Sequence, residues 1–205
     1  YEITGGYRSQ FSEVFYFNPT DKTGRSCHIN VLDYIPRTSE AVAAIGNMCL
    51  MIHPDQSKDN PYWDKVPRMM LEMLIGYVLL KGEEKSLPEA AGILYSGKAY
   101  KEIFAGIIAS FSDESLAPDD PMYEVQKTVL TNAQTFLQMA SGQDSEQIVT
   151  HITTVLDDLR VYSSASSLLS SSDFSLEDIA DGERPISLYL CVPVKELDRI
   201  MPMFK

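Results

Sequence analysis

The side chains best suited to chemistry are an adjacent Cys27-His28, two further histidines at His53 and His151, two further cysteines at Cys49 and Cys191, and three carboxylate pairs, Asp113-Glu114, Asp119-Asp120 and Asp157-Asp158. A thiol beside an imidazole could act as a nucleophile, and two carboxylates across a cleft could do acid–base work. The spacing supports neither strongly. Adjacent residues of an extended segment point to opposite faces, and no C-x-x-C or His/Cys cluster has the spacing of metal ligands. The carboxylate pairs fit solvated helix ends, with Asp120 placed as a helix cap and Asp113-Glu114 in a loop. Their second reading is a docking rim for a basic partner, built from Asp113, Glu114, Asp119, Asp120 and Glu124.

Gly92-Ile93-Leu94-Tyr95-Ser96-Gly97-Lys98-Ala99 nearly repeats the phosphate-cradling pattern G-x-x-x-x-G-K-[ST]. Ala99 lacks the hydroxyl that would hold Mg²⁺, and the run follows a helical pattern where a true phosphate loop follows a buried strand. Gly97 reads as a helix stop. No catalytic, cofactor-binding or metal-binding residue is therefore assigned in this chain.

The elements that must position these groups are unevenly distributed. Val14-Phe15-Tyr16-Phe17, stopped by Asn18-Pro19, and Ile186 to Val192, stopped by Pro193, are apolar runs of the kind found in strands covered on both faces. Two such strands do not complete a parallel sheet, so the chain reads as an excised piece of a larger α/β domain. Its opening without Met and its first stretch, Tyr1 to Ser12, suggest the tail of a helix whose beginning lies upstream.

Between the strands the period is helical. Val42, Ile45, Cys49 and Ile52 follow a cap at Thr38 or Ser39 and end before Pro54. From Pro61 to Gly82 the pattern is apolar nearly all round, which marks a central buried helix, with Trp63 as a core anchor beside it. Pro67 belongs in a first turn, so this helix is expected to begin near Asp64. Ser86-Leu87-Pro88-Glu89 has the form of a capping box for a short helix to Tyr95. Tyr100, Ile103, Phe104, Ile107, Ile108 and Phe111 outline the next helix. Asp120-Pro121 is expected to start a long one carrying Met122, Val125, Val129, Ala133, Phe136 and Ala140, closed by Gly142. A further helix is expected from Asp144 to Tyr162. Ser163 to Ser172 reads as a loop or broken helix pinned by Leu168-Leu169, and Ser175 to Asp178 as a cap before the returning strand.

The chain has 205 residues, 44% of them hydrophobic, and a net charge of −12 with pI about 4.6. That is material for one sizeable core or one domain plus part of another. The acidic balance argues against direct binding to a phosphate backbone and favours basic protein partners. No apolar run has the roughly 20 residues of a membrane span. Widely spaced cysteines read as reduced thiols of a cytosolic compartment.

The ordered segments GGYRSQFSEVFYFNP, GRSCHINVLDYI, NPYWDKVPRMMLEMLIGYVLL, HITTVLDDLRVYSSASSLLSSSDFSLEDI and RPISLYLCVPVKELDRIMPMF resemble the TraG/TraD family of type IV secretion coupling proteins. In that family an all-α domain interrupts a RecA-like nucleotide-binding domain. The resemblance implies a mainly α chain, with residues 1–37 and 181–205 belonging to a truncated RecA-like α/β domain and residues 38–180 forming the all-α insert. It further implies a hexameric parent ATPase, using ATP and Mg, at the cytoplasmic face of the bacterial inner membrane. The phosphate-binding and Mg-associated motifs would lie outside this chain, leaving it without a cofactor, inactive alone and monomeric. The expected function is recruitment of DNA–relaxase complexes or protein effectors, with relaxosome or relaxase proteins, effectors or their adaptors as partners. Pro67 departs from the family pattern. Two rivals remain: a stand-alone α/β hydrolase-like enzyme using a carboxylate pair or Cys27, and a structural spacer in the hexamer.

Overall fold

The computed structural model describes residues 3–55, 62–112, 115–140, 150, 154, 165–175, 178–179, 182 and 184–197. The chain is mainly helical. The two apolar runs form β1 (Glu13–Phe17) and β2 (Ile186–Leu190), which pair with each other in parallel, Glu13 opposite Ile186 and Phe17 opposite Leu190. A parallel pair requires a crossover, and here the crossover is the whole helical body. The residues before β1 hold the sheet at its start. A single turn, α1 (Gly5–Arg8), stands where a helix tail was expected, Arg184 Nη2 donates to the Ser9 carbonyl at 2.9 Å, and the Ser12 and Ser187 hydroxyls lie 2.7 Å apart.

The expectation that both strands are covered on both faces needs correction. Phe17 is buried and Phe15 stacks on Phe174 at 4.5 Å, but Leu188 and Leu190 on β2 are 36% and 55% exposed. In the register Leu188 and Leu190 stand opposite Phe15 and Phe17, so the cover that buries Phe17 on β1 does not extend across that face to β2.

The helical stripes read from sequence are largely those that pack. In α2 (Ala41–Ile52) the buried positions are Ala41, Ile45 and Cys49. The helix starts after Glu40, later than the Thr38 or Ser39 cap, and Thr38 Oγ1 instead accepts from the Glu40 N–H at 3.3 Å. The central helix α3 (Tyr62–Lys81) buries Leu71, Ile75 and Val78 on one side and Val66, Met70, Met73 and Leu74 on the other. It begins at Tyr62, before the expected Asp64, so Pro67 lies inside the helix and is itself buried. An interior proline costs about 3 kcal/mol, and burying several large side chains at about 1.5–3 kcal/mol each outweighs it.

Ser86 caps α4 (Leu87–Leu94), its Oγ accepting from the Glu89 N–H at 3.3 Å. Half of the expected capping box is altered. The Glu89 carboxylate reaches past the cap to accept from the N–H groups of Glu83, Glu84 and Lys85, each at 3.0 Å, and so ties down the whole α3–α4 turn, in which Lys85 has φ +50°. Gly97, at φ +78°, follows the helix in a conformation that side chains disfavour. Next comes α5 (Tyr100–Ala109), with Ile103, Phe104 and Ile107 inward.

The long helix α6 (Tyr123–Met139) starts two residues after Pro121 rather than at it. Asp120 caps a turn instead, Oδ1 accepting from the Met122 N–H at 2.7 Å while its carbonyl accepts from Tyr123 at 3.0 Å. Val125, Val129, Ala133 and Phe136 face the core as expected. The Ser163–Ser172 segment contains one turn, α7 (Ser166–Leu169), with Leu169 buried. Ser175 and Asp178 cap each other reciprocally at 2.9 and 3.1 Å. The expected helix from Asp144 to Tyr162, with Gly142 before it, lies outside the described residues, as does the side chain of Trp63.

The core is one cluster running from Phe17 and Leu32 through α3, α5 and α6 to Leu169 and Phe174. A close approach occurs where α3 meets α6. A Cβ added at Gly76 would stand 2.6 Å from Val129 Cγ2 and 3.2 Å from Val125 Cγ1, whereas one added at Gly92 meets nothing. Gly76→Ala is therefore expected to destabilise the fold by about 1–3 kcal/mol through overpacking, despite the better helix propensity of alanine. Gly92→Ala should stabilise it by about 0.5–1 kcal/mol. Urea denaturation of the two variants checks this, and equal shifts in midpoint would contradict the close approach.

Candidate functional site

The acidic residues read as a docking rim gather at the α5–α6 connection. Asp119 and Glu124 are exposed and Asp120 is half-buried. Asp113 and Glu114 lie outside the described residues. Glu124 forms an ion pair with Lys127 at 3.4 Å one turn on, and Asp120 is occupied in part by its turn. The loop is anchored from beneath, since the buried Gln126 accepts from the Leu116 N–H at 2.9 Å through Oε1. Carboxylates at the start of α6 also complement the positive end of its dipole, so part of their role is structural.

The nucleophile reading fails on chemistry. Cys27 is buried, and burial, reinforced by the negative charge of Asp173, pushes its thiol up to about 11. A thiol at that value is protonated at neutral pH and a poor nucleophile. Burial raises Cys49 as well. Among the described residues no group of three or more His, Cys, Asp or Glu side chains could hold a metal ion. The phosphate-loop look-alike is dismantled by the fold, because Gly92 sits within α4. His151 and the Asp157-Asp158 pair lie outside the described residues.

Two polar constellations escaped the sequence reading. The first is a clasp between the strap after β1 and the segment after α7. Asp173 Oδ2 accepts from the His28 N–H at 2.8 Å and stands 3.1 Å from its Nδ1, and the Asp173 N–H donates to the His28 carbonyl at 3.1 Å. Ser172 Oγ accepts from the Asn30 N–H at 3.0 Å and donates to Asp33 Oδ2 at 2.8 Å. The buried Asn30 side chain donates to Asp33 Oδ1 at 2.9 Å and to the Lys85 carbonyl at 3.1 Å, and accepts from the Leu32 N–H at 3.2 Å. All its amide hydrogens are thus used. Partners about 140 residues apart leave no local signal in sequence.

The second constellation is a polar stripe on α3, Asp64, Arg68 and Glu72, at the i, i+4 spacing that aligns side chains on one helix face. Asp64 is buried with its Oδ1 4.0 Å from His53 Nε2, Arg68 pairs with Asp55 at 2.6 Å, and Glu72 hydrogen-bonds Asn132 of α6. Asn132 Nδ2 also donates to the Met69 carbonyl at 3.1 Å. Burial raises the Glu72 carboxyl above its ordinary value, with Asn132, Arg68 and Lys65 opposing that rise. The charge spacing was visible in sequence but was overridden by the apolar count around it.

No helix among the described residues is long and apolar enough to cross a membrane. The whole chain, residues 1–205, matches the model of the type IV secretory system conjugative DNA transfer family. No curated protein matches the chain. A solved bacterial conjugative coupling protein, TrwBdeltaN70 in a trigonal form in complex with sulphate, is similar in fold with a TM-score of 0.56 at 14% sequence identity. The match covers 98% of this chain and 44% of that one, so this chain spans less than half the length of that protein.

Glu72 yields a pH prediction. A carboxyl raised in the folded state holds its proton more tightly than in the unfolded chain. Its stabilising contribution is complete below the ordinary carboxyl value and is lost as pH rises through the folded one. Glu72→Gln should flatten the fall in melting temperature between about pH 4.5 and neutral relative to the parent chain. Thermal melts across that range give the answer, and parallel curves would remove Glu72 as the cause.

Proposed function

This chain belongs to the type IV secretory system conjugative DNA transfer family, as a TraG/TraD-type coupling protein, and from that premise we propose that its helical body recognises transfer substrates or their adaptors. The observation that carries this reading is the parallel pairing of β1 with β2 across the entire helical segment. A body whose two ends return to neighbouring strands can be inserted into a larger sheet without disturbing it, and the exposed Leu188 and Leu190 are the side chains such a sheet and its flanking helices would bury. The larger sheet, in this reading, is a RecA-like nucleotide-binding domain whose phosphate loop and Mg-associated acidic residue are supplied by other parts of the protein.

The work then divides. ATP and Mg would drive a hexameric parent anchored at the cytoplasmic face of the inner membrane, and the helical body would select cargo. The exposed Asp119 and Glu124 suit basic patches on a relaxase, a relaxosome protein, an effector or an adaptor, favouring orientation and fast encounter over raw affinity. A net charge of −12 disfavours direct DNA contact by this part. The hydrolase alternative is weakened by the protonated Cys27 thiol and by a described sheet of two strands. A structural spacer in the hexamer differs in needing no cargo.

Charge reversal in the full-length coupling protein tests the reading. Asp119→Lys with Glu124→Lys leaves the Asp120 turn intact and should weaken co-purification of the cognate relaxase or adaptor at low salt, with a smaller difference at high salt. Transfer frequency should fall in step. Unchanged capture at low salt would remove the rim, and normal transfer with no partner held by the helical body would favour the spacer.

A further inference from the structure

Beside the clasp lies an open cleft of about 690 Å³, lined by Asp33, Tyr34, Ile35 and Pro36 on one side and by Ser172 to Ser175 on the other. We propose that this cleft is a receptor for an arginine side chain presented by a protein partner. Its chemistry is mixed in the way a guanidinium requires. Ile35, Pro36 and Phe174 give apolar walls for the methylene stem, the half-buried Tyr34 offers an aromatic ring, and Asp33 and Asp173 place two exposed carboxylates at the mouth. No lysine or arginine lines it, and the basic group beside its carboxylates is the His28 ring on Asp173.

Both carboxylates keep capacity for a new donor. Asp173 takes its short contacts from the His28 N–H and ring through Oδ2, leaving Oδ1 with a longer contact of 3.3 Å to the ring. Asp33 accepts one bond on each oxygen, from Asn30 and from Ser172. A carboxylate has about four acceptor sites, so each can receive a further N–H. The carboxylates are also held in place beforehand. Asn30, Ser172 and the Tyr34 hydroxyl, which donates to the Phe174 carbonyl at 3.2 Å, fix the two walls relative to each other, so little ordering is required on binding. Arginine suits the cleft better than lysine because a planar guanidinium can lie against the tyrosine ring while its N–H groups reach carboxylates.

The inference rests on the recognition role proposed above for the partner being a protein, but its test does not need that partner. N-acetyl-arginine methylamide is titrated into the chain and followed by backbone amide shifts, with the citrulline analogue as the uncharged isostere. Saturable shifts confined to residues 33–36 and 172–175, at least tenfold weaker with citrulline, are expected. Asp173→Asn, which can still accept the His28 N–H, and Tyr34→Leu should each weaken binding at least fivefold, with thermal melts to establish that both variants fold. Equal response to the two analogues, shifts elsewhere, or no saturable shift overturns the cleft. Partner capture that persists while arginine is ignored refutes the cleft alone, whereas arginine binding without any partner capture refutes the recognition role alone.

Discussion

The structure depends on burying α3 from nearly every side. A helix carrying Met70, Leu71, Met73, Leu74, Ile75, Val78 and Leu79 at almost no exposure must be surrounded, and α2, α4 and α6 all pack against it. The contact with α6 is possible because position 76 has no side chain, which lets the valines of α6 lie against the α3 backbone. Once α3 and α6 are that close, Phe104 of α5 can reach Phe136 of α6, their rings 5.5 Å apart in a tilted pair typical of aromatic packing. Pro67 is tolerated for the same reason. The free energy of burial along this helix exceeds what the missing backbone hydrogen bond costs.

Burial on this scale leaves little room for charge around α3, and the charges beside it lie where elements must be registered. The Asp64, Arg68 and Glu72 stripe faces His53 and Asp55 beyond α2 and Asn132 on α6. A stripe of this kind penalises sliding or rotation of α3, because a displaced Glu72 or Asp64 would meet apolar neighbours and lose its partners. The clasp does for the ends of the helical body what the stripe does for its middle. Asn30, with every amide hydrogen engaged, joins the strap after β1 to the α3–α4 turn, and its neighbours His28 and Asp33 join it to the segment before β2. The Glu89 carboxylate secures that same turn from the α4 side. The sheet and the helices therefore meet through directional bonds as well as through the apolar core that Phe17 enters.

The helices were legible because a 3.6-residue period survives even in short segments. The stripes Ile103, Phe104, Ile107 and Val125, Val129, Ala133, Phe136 are buried as spaced. The boundaries were less legible. Asp120-Pro121 has the chemistry of a helix start, yet the same aspartate can cap a turn, and the turn is what forms. The polar stripe on α3 was written in plain i, i+4 spacing but is invisible to a reading that counts apolar positions. The strands were legible as strands, and their mutual pairing was not, since nothing in a five-residue run specifies a partner about 170 residues away. The clasp and the cleft beside it share that difficulty: Asp33 and Asp173 are ordinary surface acids until folding places them across one opening.

This arrangement bears on how an inserted recognition body could serve a motor. If β1 and β2 continue into a nucleotide-binding sheet, a displacement of that sheet would reach the helices through the strap after β1, which bonds to Tyr16 at Cys27, to the segment at 168–173 at His28, Ile29 and Asn30, and to the α3–α4 turn through Asn30. The acidic surface at the start of α6 belongs to a helix packed on both α3 and α5 and would move with them. The cleft between Asp33 and Asp173 is formed by the connecting stretches themselves, and the bonds that fix its two walls to each other would hold its shape as those stretches move. A partner held at α6 would be carried by the helical body, whereas one held in the cleft would sit on the stretches that join that body to the strands.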